Sequence, residues 1–545
     1  MEDSNQFVSG AVNETTAPIF NTRVMISLLK NIFIIPCLFT MVTTEAQDST
    51  VIVTLDVNKT IQLIDNFGAS GCWYSEGIGK SWPDEKKERI AELLFSRQMD
   101  NQGNPRGIGL SAWRFNIGGG TAEQGDSSGI KDVKRRVECF LNKDGSYNWG
   151  KQQGYVWFLK KTKQYGTEKL IAFSNTPPVQ FTQNGLGYKT AKDYKVNLKA
   201  DKYDSYAAFL ATVLDHFDKE GLHFDYISPV NEPQWDWSKK YGEGEQEGSP
   251  WANEDISRIV IKLDSALTQQ KLSSRILLPE AAMLSYLYAG SGQSSQQVQG
   301  FFAKGQYQLA GLKHLPNLVA GHSYFTDAPD SNRIAIRKQL ADTAKKYGVD
   351  FWQSEYCMLA DGFREGTGSS RTAMDCALFL AKVIHSDLTI ANATAWQYWN
   401  AYEPGKADMD TRYYLIALDP NGNNNFSITK NLWALGHYSL FIRPGMHRLQ
   451  VDRSDHSTVF QDAQQLMISA FAKDKNEIVV VAINYSNSEK KIAVKTAGDQ
   501  KFRTITKYST TGAADENMKA SSIDLLKGNI LLAPRSISTF VMKNG

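Results

Sequence analysis

Two glutamates are the first residues to ask about chemistry. Glu232 closes the run DYISPVNEP, between Asn231 and Pro233, and Glu355 closes FWQSE, before Tyr356. Each follows a short apolar segment of the kind that forms a buried strand. Two carboxyl groups facing one another across a gap can divide the cleavage of an acetal between them. One protonates the departing oxygen and the other attacks carbon from the opposite face. Either glutamate alone reads as a salt-bridged or helix-capping carboxylate. Two at comparable strand ends, one of them inside Asn-Glu-Pro, favour catalysis.

Other strand ends supply groups that suit the same site. Arg114 and Asn116 lie in WRFNIGGG, His322 and Tyr324 in GHSYF, and Trp396 and Trp399 in AWQYWN. Trp73, which ends the first expected strand, and Asn175, which follows the third, are counted with them. Arg and Tyr donors favour the charged form of a carboxylate nucleophile. Indole rings offer flat apolar platforms, and Asn231 beside the acid/base can bind a neighbouring hydroxyl. Each has a plain alternative: Arg114 a structural ion pair, His322 a hydrogen-bonded core histidine, Trp396 a barrel-core residue. Gly118 to Gly120 lack the following Lys-Ser/Thr of a phosphate loop.

These residues need a scaffold that brings distant strand ends together. From about residue 67 the chain alternates short Val/Ile/Phe/Trp/Leu runs, Gly/Asn/Pro loops and helix-period segments. That is the pattern of βα units on a parallel sheet. The strands are expected at Phe67–Trp73, Ala112–Ile117, Lys169–Ser174, Phe224–Val230, Arg275–Pro279, Leu318–Tyr324, Asp350–Ser354 and Ala393–Tyr398. Helices are expected at Asp84–Phe95, Gly154–Tyr165, Tyr203–Glu220, Asn253–Gln270, Ile334–Tyr347 and Thr372–Ser386. Eight such units imply a (β/α)8 barrel over residues 65–440, with reactive groups at the C-terminal strand ends. Glu232 and Glu355 then close strands four and seven, which face each other across the mouth. After Arg443-Pro444-Gly445 only β runs follow, so residues 441–545 are expected to form an all-β sandwich. The alternating segment 51–64 is expected to add an N-terminal strand to it.

Composition narrows the partner. With 60 basic and 58 acidic residues and a formal charge of +2, the chain lacks the concentrated basic patch that nucleic-acid binding needs. Met25 to Ala46 has Lys30, an apolar run from Ile32 to Val42 and a small residue at Ala46, the layout of a secretory signal peptide. Residues 1–24 are acidic and polar, so translation is read as starting at Met25, and the product as exported to the periplasm, cell surface or medium. No apolar run reaches the ~20 residues of a membrane span. Cys72, Cys139, Cys357 and Cys376 remain, too few for a disulfide framework, and CxxC, HExxH and P-loop patterns are missing.

With those residues in place, the chain resembles glycoside hydrolase family 30, and within it the endo-β-1,6-galactanase-like branch. The resemblance rests on IDNFGASGCW, WRFNIGGG, SNTPPVQFTQNG, SPVNEPQW, GHSY, WQSEY, AWQYW and LWALGHYSLFIRPG, and it spans residues 51–545. It implies a retaining glycosidase with Glu232 as acid/base, Glu355 as nucleophile, and Arg114, Asn231, Tyr324 and Trp396 around the sugar being cleaved. No cofactor or metal is implied, and a monomer acting on a polysaccharide or oligosaccharide is expected. Xylan-cleaving members carry a Trp-Met-Lys-type segment in the strand-three loop, where this chain has Val179-Gln180-Phe181-Thr182-Gln183. Alternatives inside the family are an exo-acting β-galactosidase or β-fucosidase, a β-1,6-glucanase and a xylanase. Outside it stands a non-catalytic carbohydrate-binding protein.

Overall fold

The computed structural model describes residues 50–360, 371–497, 502–523 and 529–544. The expected signal peptide and start site lie outside the described residues. Residues Asp48–Gly545 belong to one compact unit.

Parallel strands form a closed ring: one Asn66–Ser70, two Ala112–Asn116, three Lys169–Phe173, four Tyr226–Ser228, six Leu318–His322, seven Asp350–Glu355 and eight Ala395–Tyr398. Strand five is broken, with Arg275–Ile276 pairing strand four and Pro279–Ala281 pairing strand six. Strand eight pairs with both seven and one, which closes the (β/α)8 barrel. The expected fifth strand stops one residue before Glu280, which lies inside the observed strand Pro279–Ala281.

Side chains alternate across a strand, so every second residue points into the barrel. Ala112, Ile171, Tyr226, Leu277, Leu318, Ala320, Trp352 and Ala395 pack as one cluster drawn from seven strands. Counting on by two from this layer reaches Arg114, Phe173 and Asn175, Ser228, His322 and Tyr324, Ser354, and Trp399. The barrel floor thereby sets which side chains rise toward the mouth.

Outer helices bury one apolar stripe each. Tyr203–Lys219 buries Tyr206, Leu210, Val213, Leu214 and Phe217, at helical spacing, against the sheet. Ala373–Thr389 starts at a capping box between Thr372 and Asp375, where each side chain satisfies the other's free backbone N–H. Elements unread in the sequence include a short helix Ser75–Ser81, the helix Lys430–Ser439, and a small sheet of Tyr402–Pro404, Ile416–Leu418 and Phe426–Ile428 after strand eight.

The C-terminal β domain is a mostly antiparallel sheet in which Val51–Leu63 sits between His447–Arg453 and Lys490–Thr496, as expected of the N-terminal strand. It has its own core, including Val53, Leu55, Leu449, Ile468, Val480 and Phe540. His437, on the last barrel helix Lys430–Ser439, is buried against Thr539 at 2.8 Å and Thr510 at 2.9 Å, both on strands of this sheet. Burial holds its imidazole down to about 3, so it joins the two layers as a neutral ring. Cys72, Cys139, Cys357 and Cys376 are all free and buried.

Leu55 is fully buried in that second core. Leu55→Ala should therefore cost about 2–5 kcal/mol, read as a lower urea midpoint with an unchanged slope. A loss below about 1 kcal/mol would show that this strand is not packed as described.

Candidate active site

At the C-terminal end of the barrel lies a cavity of about 500 Å³, within the usual size of a small-molecule site. Glu232 and Glu355 both line it, with Trp73, Asn175, Asn231, Tyr324 and Trp399 from the expected set.

Glu355 is held by two donors. Tyr324 gives its hydroxyl hydrogen to Oε1 at 3.1 Å, and Arg114 Nη1 donates to Oε2. Arg114 is placed in turn by Asn231, whose Oδ1 accepts from Nη2 at 3.0 Å, and by the Phe173 ring 3.7 Å beneath its guanidinium. Asn231 passes its own amide hydrogen to Asn175 at 3.0 Å. One chain of contacts thus runs from strand three to strand seven.

Glu232 has different surroundings. Its φ of +44° is unusual for a residue with a side chain, and its N–H is held by the carbonyl of Glu280 at 2.9 Å. Its Oε1 lies 2.9 Å from His322 Nδ1, while His322 Nε2 lies 3.2 Å from Glu280 Oε2. Burial raises the Glu232 carboxyl above its ordinary range. The hydrogen bond and charge of His322 oppose that rise, and the nearby Glu355 charge reinforces it. Burial alone would discharge His322, but Glu355 and the bonds to Glu232 and Glu280 outweigh it and push the ring up to about 10. It is an imidazolium at neutral pH, with both ring nitrogens donating.

The structure places some expected residues elsewhere. Arg114 and His322 stand behind the two carboxylates and do not line the cavity. Asn116 is fully buried and also off the wall. Trp396 is a correction to the expected subsite: it has no exposed surface and gives its indole hydrogen to Asp387 Oδ2, 2.9 Å away on the helix behind the barrel. Strand alternation explains the difference, because Ala395, Gln397 and Trp399 share the inner face and Trp396 takes the outer one. The glycine loop holds no free phosphate cradle. Gly119 N–H and the Thr121 hydroxyl both donate to the buried Glu247 carboxylate.

Several wall residues were missed. Trp235 and Trp237 follow Glu232 directly in NEPQWDW, a visible signal, and Trp237 Nε1 donates to the Glu232 carbonyl at 3.1 Å. Phe325 meets Trp235 edge-on at 6.2 Å. On the opposite wall Trp73 meets Trp399 edge-on at 5.2 Å, and Arg135 lies 4.4 Å over the Trp73 ring near Glu403. One ligand atom from each of Glu232, His322 and Glu355 falls within 4.8 Å of the others. Such a set has the donor count of a metal site. Here Arg114 and Tyr324 already donate to one carboxylate, and both ring nitrogens of His322 are engaged by Glu232 and Glu280.

Comparison with known proteins gives the family. Residues 50–410 match the family model described as O-Glycosyl hydrolase family 30. A crystal structure described as a conserved exported protein from Bacteroides fragilis is 35% identical, covering 90% of this chain and 100% of that one, with a TM-score of 0.83. Glucuronoxylanase XynC of Bacillus subtilis (strain 168) is 22% identical over 70% of this chain and 75% of its own length. The fold also matches an endo-β1,6-glucanase at a TM-score of 0.60 and 17% identity, covering 91% of this chain and 94% of that one. The chain belongs to O-glycosyl hydrolase family 30. It is an O-glycosyl hydrolase, which sets aside the non-catalytic carbohydrate binder. No helix among the described residues is long and apolar enough to cross a membrane.

Tyr324→Phe removes one donor to Glu355 and keeps the ring. A hydrogen bond to a charged group contributes about 1.5–3 kcal/mol, so kcat/KM should fall roughly 10- to 100-fold. Steady-state kinetics on any glycan the enzyme cleaves reads this, and unchanged kcat/KM would remove the hydroxyl from the site.

Proposed function

We propose that this protein is an exported endo-β-1,6-galactanase that works with retention of configuration. The observation that carries the mechanism is the short gap between unlike carboxyls. Oxygens of Glu232 and Glu355 come within 4.8 Å, close to the ~5–5.5 Å between carboxyl groups of retaining enzymes and short of the ~6.5–9.5 Å that admits a water in inverting ones. Glu355 attacks the anomeric carbon while Glu232 gives its proton to the departing oxygen. Water then enters with Glu232 as base, and the bond to Glu355 is broken.

Aromatic rings on both sides of the carboxyls support internal cleavage of a polymer. Trp73 and Trp399 stand at strands one and eight, and Trp235, Trp237 and Phe325 after strands four and six. The branch resemblance and the strand-three loop support galactan, and the β1,6-glucanase fold match is in keeping with a 1,6 linkage. The name of the curated relative favours a second reading, glucuronoxylan, despite the different strand-three loop. Export is supported by the description of the Bacteroides fragilis protein and by the signal-like segment before Gln47.

A time course on β-1,6-galactan, with β-1,6-glucan and glucuronoxylan in parallel, tests the substrate. Short galacto-oligosaccharides should appear early; galactose alone makes the enzyme exo-acting, and turnover of another polymer only replaces the substrate. Glu355→Ala should lose at least ~10³-fold in kcat and some thermal stability, because it leaves the buried Arg114 short of a partner, and normal activity in that variant would overturn the nucleophile assignment. Because Glu232 acts as an acid while protonated, kcat/KM should fall as pH rises through its raised pKa. Glu232→Ala should abolish that limb.

A further inference from the structure

A third glutamate at the mouth has no part in the two-carboxyl reading. Glu280, at the end of strand five, has no exposed surface and is absent from the cavity wall, so it cannot touch a sugar. Its carboxylate nevertheless gathers partners from four other strands. Ser228 donates to Oε1 at 2.6 Å, Ser354 donates to Oε2, His322 Nε2 lies at 3.2 Å and Arg114 Nη2 at 3.5 Å. Its main-chain carbonyl holds the Glu232 N–H. Ser228 and Ser354 sit on the strands that lead to Glu232 and Glu355. Every charged partner of Glu280 is therefore also a partner of a catalytic carboxyl.

Charge counting gives the cluster a purpose. Arg114 and His322 supply two positive charges, and the carboxyls in contact with them are Glu232, Glu280 and Glu355. When Glu232 holds its proton, the remaining two carboxylates balance the two cations. Were Glu280 neutral, the same proton on Glu232 would leave a buried net positive charge, which a low-dielectric site penalises. We propose that Glu280 is a positioning residue for Glu232: by neutralising Arg114 and His322 from beneath, it lets Glu232 keep the proton that the leaving oxygen takes. This rests on Glu232 being the acid/base.

Burial opposes ionisation of Glu280, but the charge of Arg114 and the bond from His322 bring it down to about 2, so it is a carboxylate throughout the working range. The sign of the test follows. Glu280→Gln removes a negative charge near Glu232, so Glu232 releases its proton at lower pH. Activity that needs the protonated form then falls away earlier as pH rises. In the full-length protein, the basic limb of the kcat/KM profile should move down by about one pH unit or more. The loss at pH 7 should be at least ~10-fold larger for aryl glycosides with a poor leaving group than for a dinitrophenyl glycoside, which needs little acid assistance. Glu280→Asp, which keeps the charge, should retain most of the wild-type limb. A folded Glu280→Gln enzyme whose limb stays in place, and whose loss is the same for all leaving groups, overturns the proposal.

Should Glu280→Gln fail to fold, nitrogen NMR of the wild-type histidines at pH 8 carries the test, with His322 assigned by the signal missing in His322→Asn. Two protonated ring nitrogens on His322 are expected, and a neutral ring overturns the charge balance. The functional reading fails differently. A wild type inactive on every glycan and aryl glycoside defeats the acid/base assignment and this proposal with it, whereas an active wild type with an indifferent Glu280→Gln defeats the proposal alone.

Discussion

The site depends on a buried ionic cluster in which two cations, Arg114 and His322, are shared among Glu232, Glu280 and Glu355. Placing this many charged groups out of water is costly, and attraction between them offsets that cost only in close geometry with every lone pair answered. Five strands are needed to arrange it, and a parallel barrel is a scaffold that aims five strand ends at one point. The left-handed backbone at both Glu232 and Glu280 belongs to the same arrangement. The N–H of one closes on the carbonyl of the other, so the two strained residues hold each other.

The rest of the chain fixes that ring of strands. Val51–Leu63 is a β-domain strand, yet Gln62 on it donates to the carbonyls of Leu388 and Ala393, at the approach to strand eight. Arg448 on the adjoining strand binds both Gln62 and Asn392. With His437 on the last barrel helix, these contacts join the β domain to the elements around strand eight, where Trp399 enters the cavity. The shared strands and this polar seam hold the β domain against the barrel.

Much of this was legible in the sequence because its signals are periodic. Eight apolar runs at βα spacing gave the barrel, and strand-end placement gave Glu232 and Glu355. Other features needed the barrel's inner register. Trp396 and Trp399 look equivalent in AWQYWN, and only the parity set by Ala395 sends one to the helix layer and the other to the cavity. The expected fifth strand ends at Pro279, one residue short of Glu280, although Pro-Glu at a strand end is the same kind of signal as Asn-Glu-Pro. Of the two readings of His322, a sugar-site residue and a hydrogen-bonded core histidine, the structure supports the second, with Glu232 and Glu280 as its partners. Arg135, at the end of the short 3-10 helix Val133–Arg135, and Glu403, on the strand Tyr402–Pro404, lie in segments that no periodic pattern singles out.

The central claim is that Glu355 forms a bond to the sugar while Glu232 manages the proton. The most direct test is to trap that bond with an activated 2-deoxy-2-fluoro glycoside of the sugar the enzyme cleaves, digest the protein, and locate the label by mass spectrometry. The account predicts one label per chain, on the peptide carrying Glu355, with activity lost in step. A label on Glu232 or Glu280, or an active enzyme that such a reagent never labels and whose first product has inverted configuration, would contradict it.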